Sequence, residues 1–275
     1  MTQPPTPSRS GNGVVPLSPP EREHWLAVAS GKGGTGKTHV AASLASTWSQ
    51  QGDRVLLVDS DLGLGNVEML LGLRPKFDLG DVLSGAASVD DAMVAGPAGV
   101  QVLVARSGCP ELVQLGPADR ARLAAALTRA GRDFDHVIVD IGAGIGAQAL
   151  FFQGLAARTL LVTSSEPPAL TDAYAFIKVA NRVNGTPHYA VAVNQVRGAG
   201  EGAHASRILG DLAQRFLGVG VSLAGEIPYD AAVTRAVRAQ RTVVDSEPGA
   251  VSARALTRLA RALLFPQADV STSSR

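Results

Sequence analysis

Cysteine and long apolar runs are scarce in this sequence. Its 275 residues include one cysteine, Cys109, which excludes an intrachain disulfide and any metal site built from several cysteines of the chain. No window approaches the roughly 20 apolar residues of a membrane-spanning helix, and the N-terminus lacks a charged segment followed by a hydrophobic one. We therefore expect a cytoplasmic protein.

An excess of one charge sign is also missing. The chain has 25 basic and 24 acidic residues and a formal net charge of +1, so its overall field predicts neither nucleic acid nor an acidic membrane as a partner. Hydrophobic residues make up 45% of the chain, enough for the core of one large domain or two small ones. We find no internal repeat or interdomain linker and predict a single domain.

That domain is predicted to span residues 24–265. Residues 1–23 are rich in proline, serine and glycine, a composition typical of a disordered leader, and a docking peptide for a partner is the alternative interpretation. Residues 266–275 form a short polar tail. Both ends are predicted to lie outside the hydrophobic core.

The main motif is a glycine-rich octapeptide at residues 31–38. It follows an apolar run and precedes a helical pattern, the setting in which such a loop binds phosphates. Glycine lets the backbone approach a polyphosphate closely, and the amides at the helix start attract the anion. We expect Lys37 to contact the β- and γ-phosphates and Thr38 to hold Mg²⁺. The predicted nucleotide-binding residues of this loop are Gly31, Lys32, Gly33, Gly34, Thr35, Gly36, Lys37 and Thr38.

Two later apolar runs end in aspartate. The first, at 54–59, ends in Asp59 with Asp61 two residues on, a pair suited to a Mg²⁺ shell and a base that positions water. Asp61 has an alternative role as a helix cap. The second run, at 134–140, is a Walker B strand whose Asp140 is expected to bind Mg²⁺ through water. Gly142 and Gly144 then form a candidate switch segment that senses the γ-phosphate.

A third set of residues is predicted to surround the base of the bound nucleotide. Asn194 ends a later strand and can both donate to and accept from a base edge, although asparagine also commonly makes a turn after a strand. Pro228 and Tyr229 follow the last strand and are expected to form a wall of the same pocket. We assign no role to His39, His136, His188 or His204, which lack metal-ligand spacing.

Apolar runs alternate with helical patterns along the chain. The runs are near-continuous in apolar residues, as in strands buried on both faces of a parallel sheet. The pattern predicts an α/β fold with a doubly wound, mostly parallel sheet, helices on both faces and ligands at the carboxyl ends of the strands. The predicted strands are 25–30, 54–59, 100–105, 134–140, 158–163, 188–193 and 221–227. The predicted helices are 37–51, 66–72, 117–131, 146–156, 170–183, 203–217, 230–240 and 250–265.

The octapeptide, with its early Lys32, resembles the deviant Walker A signature of the MinD/ParA family of P-loop ATPases. Three further segments, 59–73, 166–178 and 225–240, are similar to the FlhG/FleN branch of that family, which regulates flagellar number and placement. The resemblance covers about residues 25–265. It implies that ATP and Mg²⁺ are bound and that ATP is slowly hydrolysed.

This resemblance further implies a homodimer with ATP sandwiched between its subunits. Lys32 would reach the partner's nucleotide, and Asp61 would orient the attacking water. Flagellar members restrain a master transcriptional activator and act with a polar GTPase, so recruitment to the cell pole is also implied. The leader lacks the Asp-Gln-Ala-type helix with which many members stimulate that GTPase. The alternative is a ParA- or MinD-like positioning ATPase that uses DNA or membrane as its matrix.

The segment 252–265 is amphipathic and carries three arginines. Such a helix can lie on a membrane or can be the final core helix with solvated arginines. We favour the core helix, since the tail beyond it is short and polar. The sequence therefore predicts no autonomous membrane targeting and no specific nucleic-acid binding.

Overall fold

A computed structural model describes residues 22–61, 65–105, 115–186 and 188–264. Cys109, residues 1–21 of the leader, residue 265 and the tail at 266–275 lie outside these ranges. Arg22 is buried, and its Nη1 donates to the carbonyl of Gly154 at 2.8 Å. Arg22 is therefore packed against the folded domain, although it precedes the predicted boundary at residue 24.

The described residues form one sheet of eight strands. The strands are β1 (Trp25–Ala29), β2 (Val55–Asp59), β3 (Met93–Ala95), β4 (Gln101–Leu103), β5 (His136–Asp140), β6 (Arg158–Thr163), β7 (His188–Val196) and β8 (Gly220–Pro228). Their order across the sheet is β3-β4-β2-β5-β1-β6-β7-β8. Every neighbouring pair is parallel except β3 with β4. The prediction of a mostly parallel sheet is confirmed.

Helices cover both faces of the sheet. They are α1 (Lys37–Gln50), α2 (Val67–Leu71), α3 (Leu79–Ser84), α4 (Val89–Ala92), α5 (Pro117–Gly131), α6 (Ala147–Gln153), α7 (Pro167–Asn184), α8 (Glu201–Leu217), α9 (Ala231–Arg238), α10 (Val243–Ser246) and α11 (Val251–Leu264). A short 3₁₀ turn covers Pro97–Gly99.

Several predicted boundaries are wrong by a few residues. The helix predicted from residue 170 begins at Pro167, because the first turn of a helix accepts proline. The helix predicted to reach residue 156 ends at Gln153, and the strand predicted over 100–105 is limited to 101–103. The short elements β3, α3, α4 and α10 were not predicted.

Two separate hydrophobic layers lie on the two faces. Trp25 belongs to the layer under α5, where its indole packs so closely against Gly131 that a Cβ there would lie 2.5 Å from the ring. Trp48 belongs to the opposite layer and donates from Nε1 to the carbonyl of Ala260 at 3.1 Å. This bond joins α1 to α11.

The interpretation of α11 as a core helix is confirmed. Leu256, Leu259 and Leu263 are buried, and the helix packs on β8 and α1. Its three arginines, at positions 254, 258 and 261, face solvent. In the described part of the chain, no helix has both the length and the apolar character needed to cross a membrane.

Candidate functional site

Three neighbouring strands bring the predicted residues to one edge of the sheet. β2 and β5 pair in register up to their last residues, so Asp59 lies opposite Asp140. β1 lies on the other side of β5, with Val28 opposite Asp140. Because these strands are parallel, their carboxyl ends meet, and the glycine-rich loop after β1 starts beside the two aspartates.

The loop conformation requires glycine at specific positions. Gly34 and Gly36 both have φ +83, a left-handed conformation that costs other residues roughly 1–2 kcal/mol. A Cβ on Gly36 would lie 2.4 Å from Nδ2 of Asn194, and one on Gly31 would lie 2.2 Å from the backbone of Asp172 in α7. Gly31 and Gly36 are therefore packed against two different elements.

Side chains from the end of β7 hold the loop in place. Asn194 donates from Nδ2 to the carbonyl of Thr35 at 2.7 Å, and Gln195 donates from Nε2 to that of Gly34 at 3.3 Å. The Ser30 hydroxyl donates to the carbonyl of Lys32 at 3.0 Å. The Asn194 side chain thus donates to the loop itself, its Oδ1 accepts from the Gln195 amide at 2.9 Å, and its contact with a base stays a prediction.

A buried ion pair joins the loop helix to β5. Nζ of Lys37 lies 2.6 Å from Oδ1 of Asp140, and both side chains are almost fully buried. Burial raises the pKa of the Asp140 carboxyl, while the charge of Lys37 and hydrogen bonds from Lys37 and Thr38 oppose that change. Lys37, Thr38 and Asp140 therefore form one polar cluster at the start of α1.

Asp59 orders the segment that follows it. Its Oδ1 accepts from the amide of Asp61 at 3.0 Å, and its Oδ2 accepts from the amides of Asn66 and Val67 at 3.0 and 3.1 Å. The carboxylate thus caps the N-terminus of α2, a role that the sequence suggests for Asp61. Burial and the charge of Asp140 raise the pKa of Asp59 to about 7.

These groups suit a divalent cation. Mg²⁺ binds oxygen ligands, usually one or two carboxylates together with waters and phosphates. Here burial raises the pKa of both the Asp59 and the Asp140 carboxyl, the charge of Asp140 raises that of Asp59 further, and the Thr38 hydroxyl is hydrogen-bonded to Asp140. A cation would favour their ionised forms. Thr38, Asp59 and Asp140 are the residues that would hold it, as the sequence predicts.

A cavity of about 560 Å³ lies over the loop. Asp61 lines it, and Gly142 lies next to Asp61, since a Cβ on that glycine would be 3.4 Å from the Asp61 Cγ. The Gly144 amide donates to the carbonyl of Ser30 at 3.0 Å. The predicted water-positioning residue and the predicted switch segment thus meet at one wall.

A smaller cavity of about 170 Å³ adjoins it. Asn194, Pro228 and Tyr229, the residues predicted to surround the base, all line it. The guanidinium of Arg197 lies 4.2 Å from the centre of the Tyr229 ring. The structure therefore brings this third predicted set together beside the loop.

Several residues that line the cavities were not predicted from the sequence. Met69, Val237 and Gln240 line the larger cavity, and His39 lines both cavities. The position of His39 directly after Thr38 was the available signal for that residue. The other three lie on α2 and at the end of α9, within the segments 59–73 and 225–240 that resemble the family branch, but that resemblance does not indicate that their side chains line a cavity.

Similarity to known proteins agrees with this geometry. Residues 26–243 match the family described as "CobQ/CobB/MinD/ParA nucleotide binding domain". The chain is 41% identical over 223 residues to the antiactivator FleN of Pseudomonas aeruginosa, covering 81% of this chain and 80% of that one. It is 31% identical over 167 residues to the flagellum site-determining protein YlxH of Helicobacter pylori, covering 58% and 54%.

Solved structures show the same fold. The cell division ATPase MinD of Pyrococcus furiosus has a TM-score of 0.73 at 28% identity, covering 87% of this chain and 97% of that one. The septum site-determining protein MinD of Pyrococcus horikoshii, solved as a complex with Mg-ADP, has a TM-score of 0.72 at 25% identity, covering 86% and 94%. A magnesium nucleotide, the predicted ligand, is thus bound in a relative.

The loop geometry predicts different effects for two glycine substitutions. We expect Gly36→Ala to lower the free energy of unfolding by about 1–2 kcal/mol or more, because its φ is positive and its Cβ would meet Asn194. Gly33→Ala is the matched control, since no atom lies within 4 Å of its Cβ position. Urea denaturation of the two variants measures the difference, and equal stabilities would contradict the described loop.

Proposed function

Because the chain belongs to the CobQ/CobB/MinD/ParA family of nucleotide-binding proteins, we propose that it is a Mg²⁺-dependent ATPase that switches between a monomer and an ATP-bound homodimer. In this proposal the switch regulates flagellar number or placement. The observation that carries it is the glycine-rich loop with its two lysines, Lys32 and Lys37, at the edge of the sheet where Asp59, Asp61 and Asp140 meet.

Nucleotide binding is supported by the arrangement of the loop. Its conformation is fixed by Asn194 and Gln195. The loop therefore loses little conformational entropy when it binds phosphates. Lys37 already lies in the cluster with Thr38 and Asp140, and the phosphates of a nucleotide would become a second partner for its charge. When bound, Mg²⁺ supplies charge neutralisation between the phosphates.

Hydrolysis is assigned to Asp61. Its side chain lines the cavity beside the phosphate loop, and its backbone amide is fixed by the Asp59 carboxylate. A carboxylate in this place can accept a hydrogen bond from water and orient it toward the terminal phosphorus. Asp59 thus acts as a positioning residue as well as a candidate metal ligand.

Exposed side chains near the larger cavity support the binding of a second subunit. Lys32 is exposed, and its ammonium group has no ion pair within the described ranges. Met69 is 68% exposed at the cavity and Ile145 is 46% exposed in the switch segment. An exposed cation in the loop, together with exposed apolar side chains at the cavity and in the switch segment, suits a face that closes against another copy carrying phosphate charge.

The flagellar role is supported by the relatives. An antiactivator and a flagellum site-determining protein are among the proteins that this chain resembles. We therefore propose a master transcriptional activator of flagellar genes as the restrained partner, with a polar GTPase as a second. A MinD- or ParA-like role on membrane or DNA is the other candidate, favoured by the likeness to MinD structures.

Substitution of Asp61 is predicted to separate binding from hydrolysis. Asp61→Ala should bind ATP normally, lose ATPase activity by about 100-fold or more, and accumulate as the ATP-loaded dimer. Lys37→Ala should lose nucleotide binding altogether, and Asp211→Ala, an exposed aspartate on α8, is the control. Phosphate release and calorimetric ATP titration measure these effects. Wild-type hydrolysis by Asp61→Ala would exclude the proposed role.

Removal of the Lys32 charge is predicted to prevent dimerisation. Lys32→Ala should bind ATP but stay monomeric, because the side chain that reaches the partner's phosphates is lost. Lys178→Ala, which removes an exposed lysine of α7, should dimerise like the wild type. Light scattering after size-exclusion chromatography in ATP measures the molar mass of each variant. An ATP-dependent dimer of Lys32→Ala would contradict the proposal that this lysine acts across the interface.

The two candidate functions differ in what the ATP-bound form retains. We would immobilise Asp61→Ala in ATP as the ATP-bound form and Lys37→Ala as the nucleotide-free form. If the protein restrains a flagellar transcriptional activator, we expect that activator from the native cytosol to bind one of these two forms and not the other. ATP-dependent co-sedimentation of the wild type with liposomes, or salt-sensitive binding to nonspecific DNA, would favour the positioning role instead.

A further inference from the structure

The sheet ends on one side in a long strand. β8 is the last strand of the sheet, and in the described part of the chain it pairs only with β7. The strand at the opposite end, β3, has three residues, whereas β8 has nine. A long edge strand offers unpaired N–H and C=O groups to other chains, so proteins usually keep such strands short or cover them. The edge of β8 is therefore a place where another strand can add.

Features that prevent strand addition lie in the carboxyl half of β8. Charged residues and proline on an edge strand have this effect, and Glu226 and Pro228 both belong to that half. The amino half, residues 220–223, has the sequence Gly-Val-Ser-Leu and contains neither. Ser222 is exposed, and Leu223 is 38% exposed. The amino half thus lacks these protective residues and is accessible.

A groove lies beside this amino half. Residues 220–223 line a cavity of about 590 Å³ together with α8, which contributes Arg207, Asp211 and Gln214. α8 lies close to the strand here, since a Cβ on Gly210 would be 3.6 Å from the carbonyl oxygen of Val221. Strand addition combines main-chain hydrogen bonds with pockets for alternate side chains. The edge of β8 can supply the first, and the groove can supply the second.

The leader joins the domain at the same end of the sheet as this groove. β1 begins at Trp25 and β8 at Gly220, and the strands from β1 to β8 in the sheet are parallel, so both residues lie at one edge. A strand added to β8 would lie four strand spacings from β1, about 19 Å. The residues from Leu17 to Trp25 can span about 26 Å. The leader up to Leu17 can therefore reach the groove.

The leader contains a segment suited to strand addition. Val14, Val15 and Leu17 are apolar and lie close together in the sequence, and β-branched valine favours strands. Because the chain must continue toward the start of β1, residues 13–17 would run antiparallel to β8. Pro16 has no N–H, so it fits only where the amide position faces away from β8. The N–H groups that face β8 are then those of Val15 and Leu17.

We propose that residues 13–17 dock on the amino half of β8 as an antiparallel edge strand, with the N–H groups of Val15 and Leu17 donating to carbonyls of residues 220–223. The docked segment covers the groove beside α8 and closes that half of the edge. A partner that adds a strand there must first displace the leader. This contact lies at the end of the sheet opposite the phosphate loop, and it does not depend on the proposed function.

Hydrogen exchange in the ¹⁵N-labelled full chain, followed by NMR spectroscopy, tests the pairing. We expect the amides of Val15 and Leu17 to exchange about tenfold more slowly than in an unfolded chain, which corresponds to docking in roughly nine of ten molecules. The amide of Val14, which faces away from β8, should exchange at the unfolded rate. Exchange of Val15 and Leu17 at the unfolded rate would overturn the inference.

Two proline substitutions test the register, because proline removes a single N–H. Val15→Pro removes an N–H directed at β8, so it should abolish the slow exchange of Leu17 and accelerate exchange within residues 221–223. Val14→Pro is the matched control, since it removes an N–H that faces solvent, and it should leave both unchanged. Equal exchange rates in the two variants would contradict the proposed pairing.

The same data distinguish other occupants of the edge. If residues 221–223 exchange as slowly in Val15→Pro as in the wild type, something other than the leader covers β8, and the inference is overturned. Slow exchange that increases with protein concentration would identify a second copy as the occupant. Slow exchange within residues 266–275 in place of Val15 and Leu17 would identify the tail.

Discussion

An ammonium and a carboxylate meet inside this protein, where Nζ of Lys37 lies 2.6 Å from Oδ1 of Asp140. Removing one partner of such a pair leaves an uncompensated buried charge, at a cost of about 3–5 kcal/mol. The pair also fixes geometry, because it joins the first residue of α1 to the last residue of β5 and so orients the phosphate loop between them. The neighbouring Asp59 is affected in turn, since the Asp140 charge raises its pKa.

A second set of restraints acts through hydrogen bonds to backbone groups. Asp59 fixes the amides of Asp61, Asn66 and Val67, whereas Asn194 fixes a carbonyl of the loop from the opposite side. The loop and the segment bearing Asp61 are therefore each held by a residue at the end of a strand. Such preorganisation lowers the entropy that a ligand must remove when it binds.

Much of this arrangement follows from the sequence because parallel strands impose it. Once apolar runs ending in Asp59 and Asp140 are assigned to neighbouring strands, their carboxyl groups must share the edge where the phosphate loop lies. The short elements follow less readily. Helices α3 and α4 begin at capping boxes of Asp78 and Ser88, but their third positions carry aspartate, whereas the usual signature has Glu or Gln.

The composition of the cavities could not be predicted in the same way. Met69, Val237 and Gln240 come together only through the packing of α2 and the end of α9, and the left-handed backbone of Gln240, at φ 54, has no local sequence signature. For His39 the neighbouring motif was visible, yet the burial of its ring nitrogens without hydrogen-bond partners in the described ranges depends on tertiary packing. Local pattern thus determines which residues meet at the edge of the sheet beside the glycine-rich loop, and long-range packing determines which side chains line the cavities.

The placement of the tryptophans has a practical consequence. The chain has two, and they lie on opposite faces of the sheet, Trp25 beneath α5 and Trp48 beneath α11. Intrinsic fluorescence therefore contains one signal from each hydrophobic layer. Variants that keep only Trp25 or only Trp48 would show by their fluorescence during thermal unfolding whether the two layers unfold together or in succession. No attached dye would be needed.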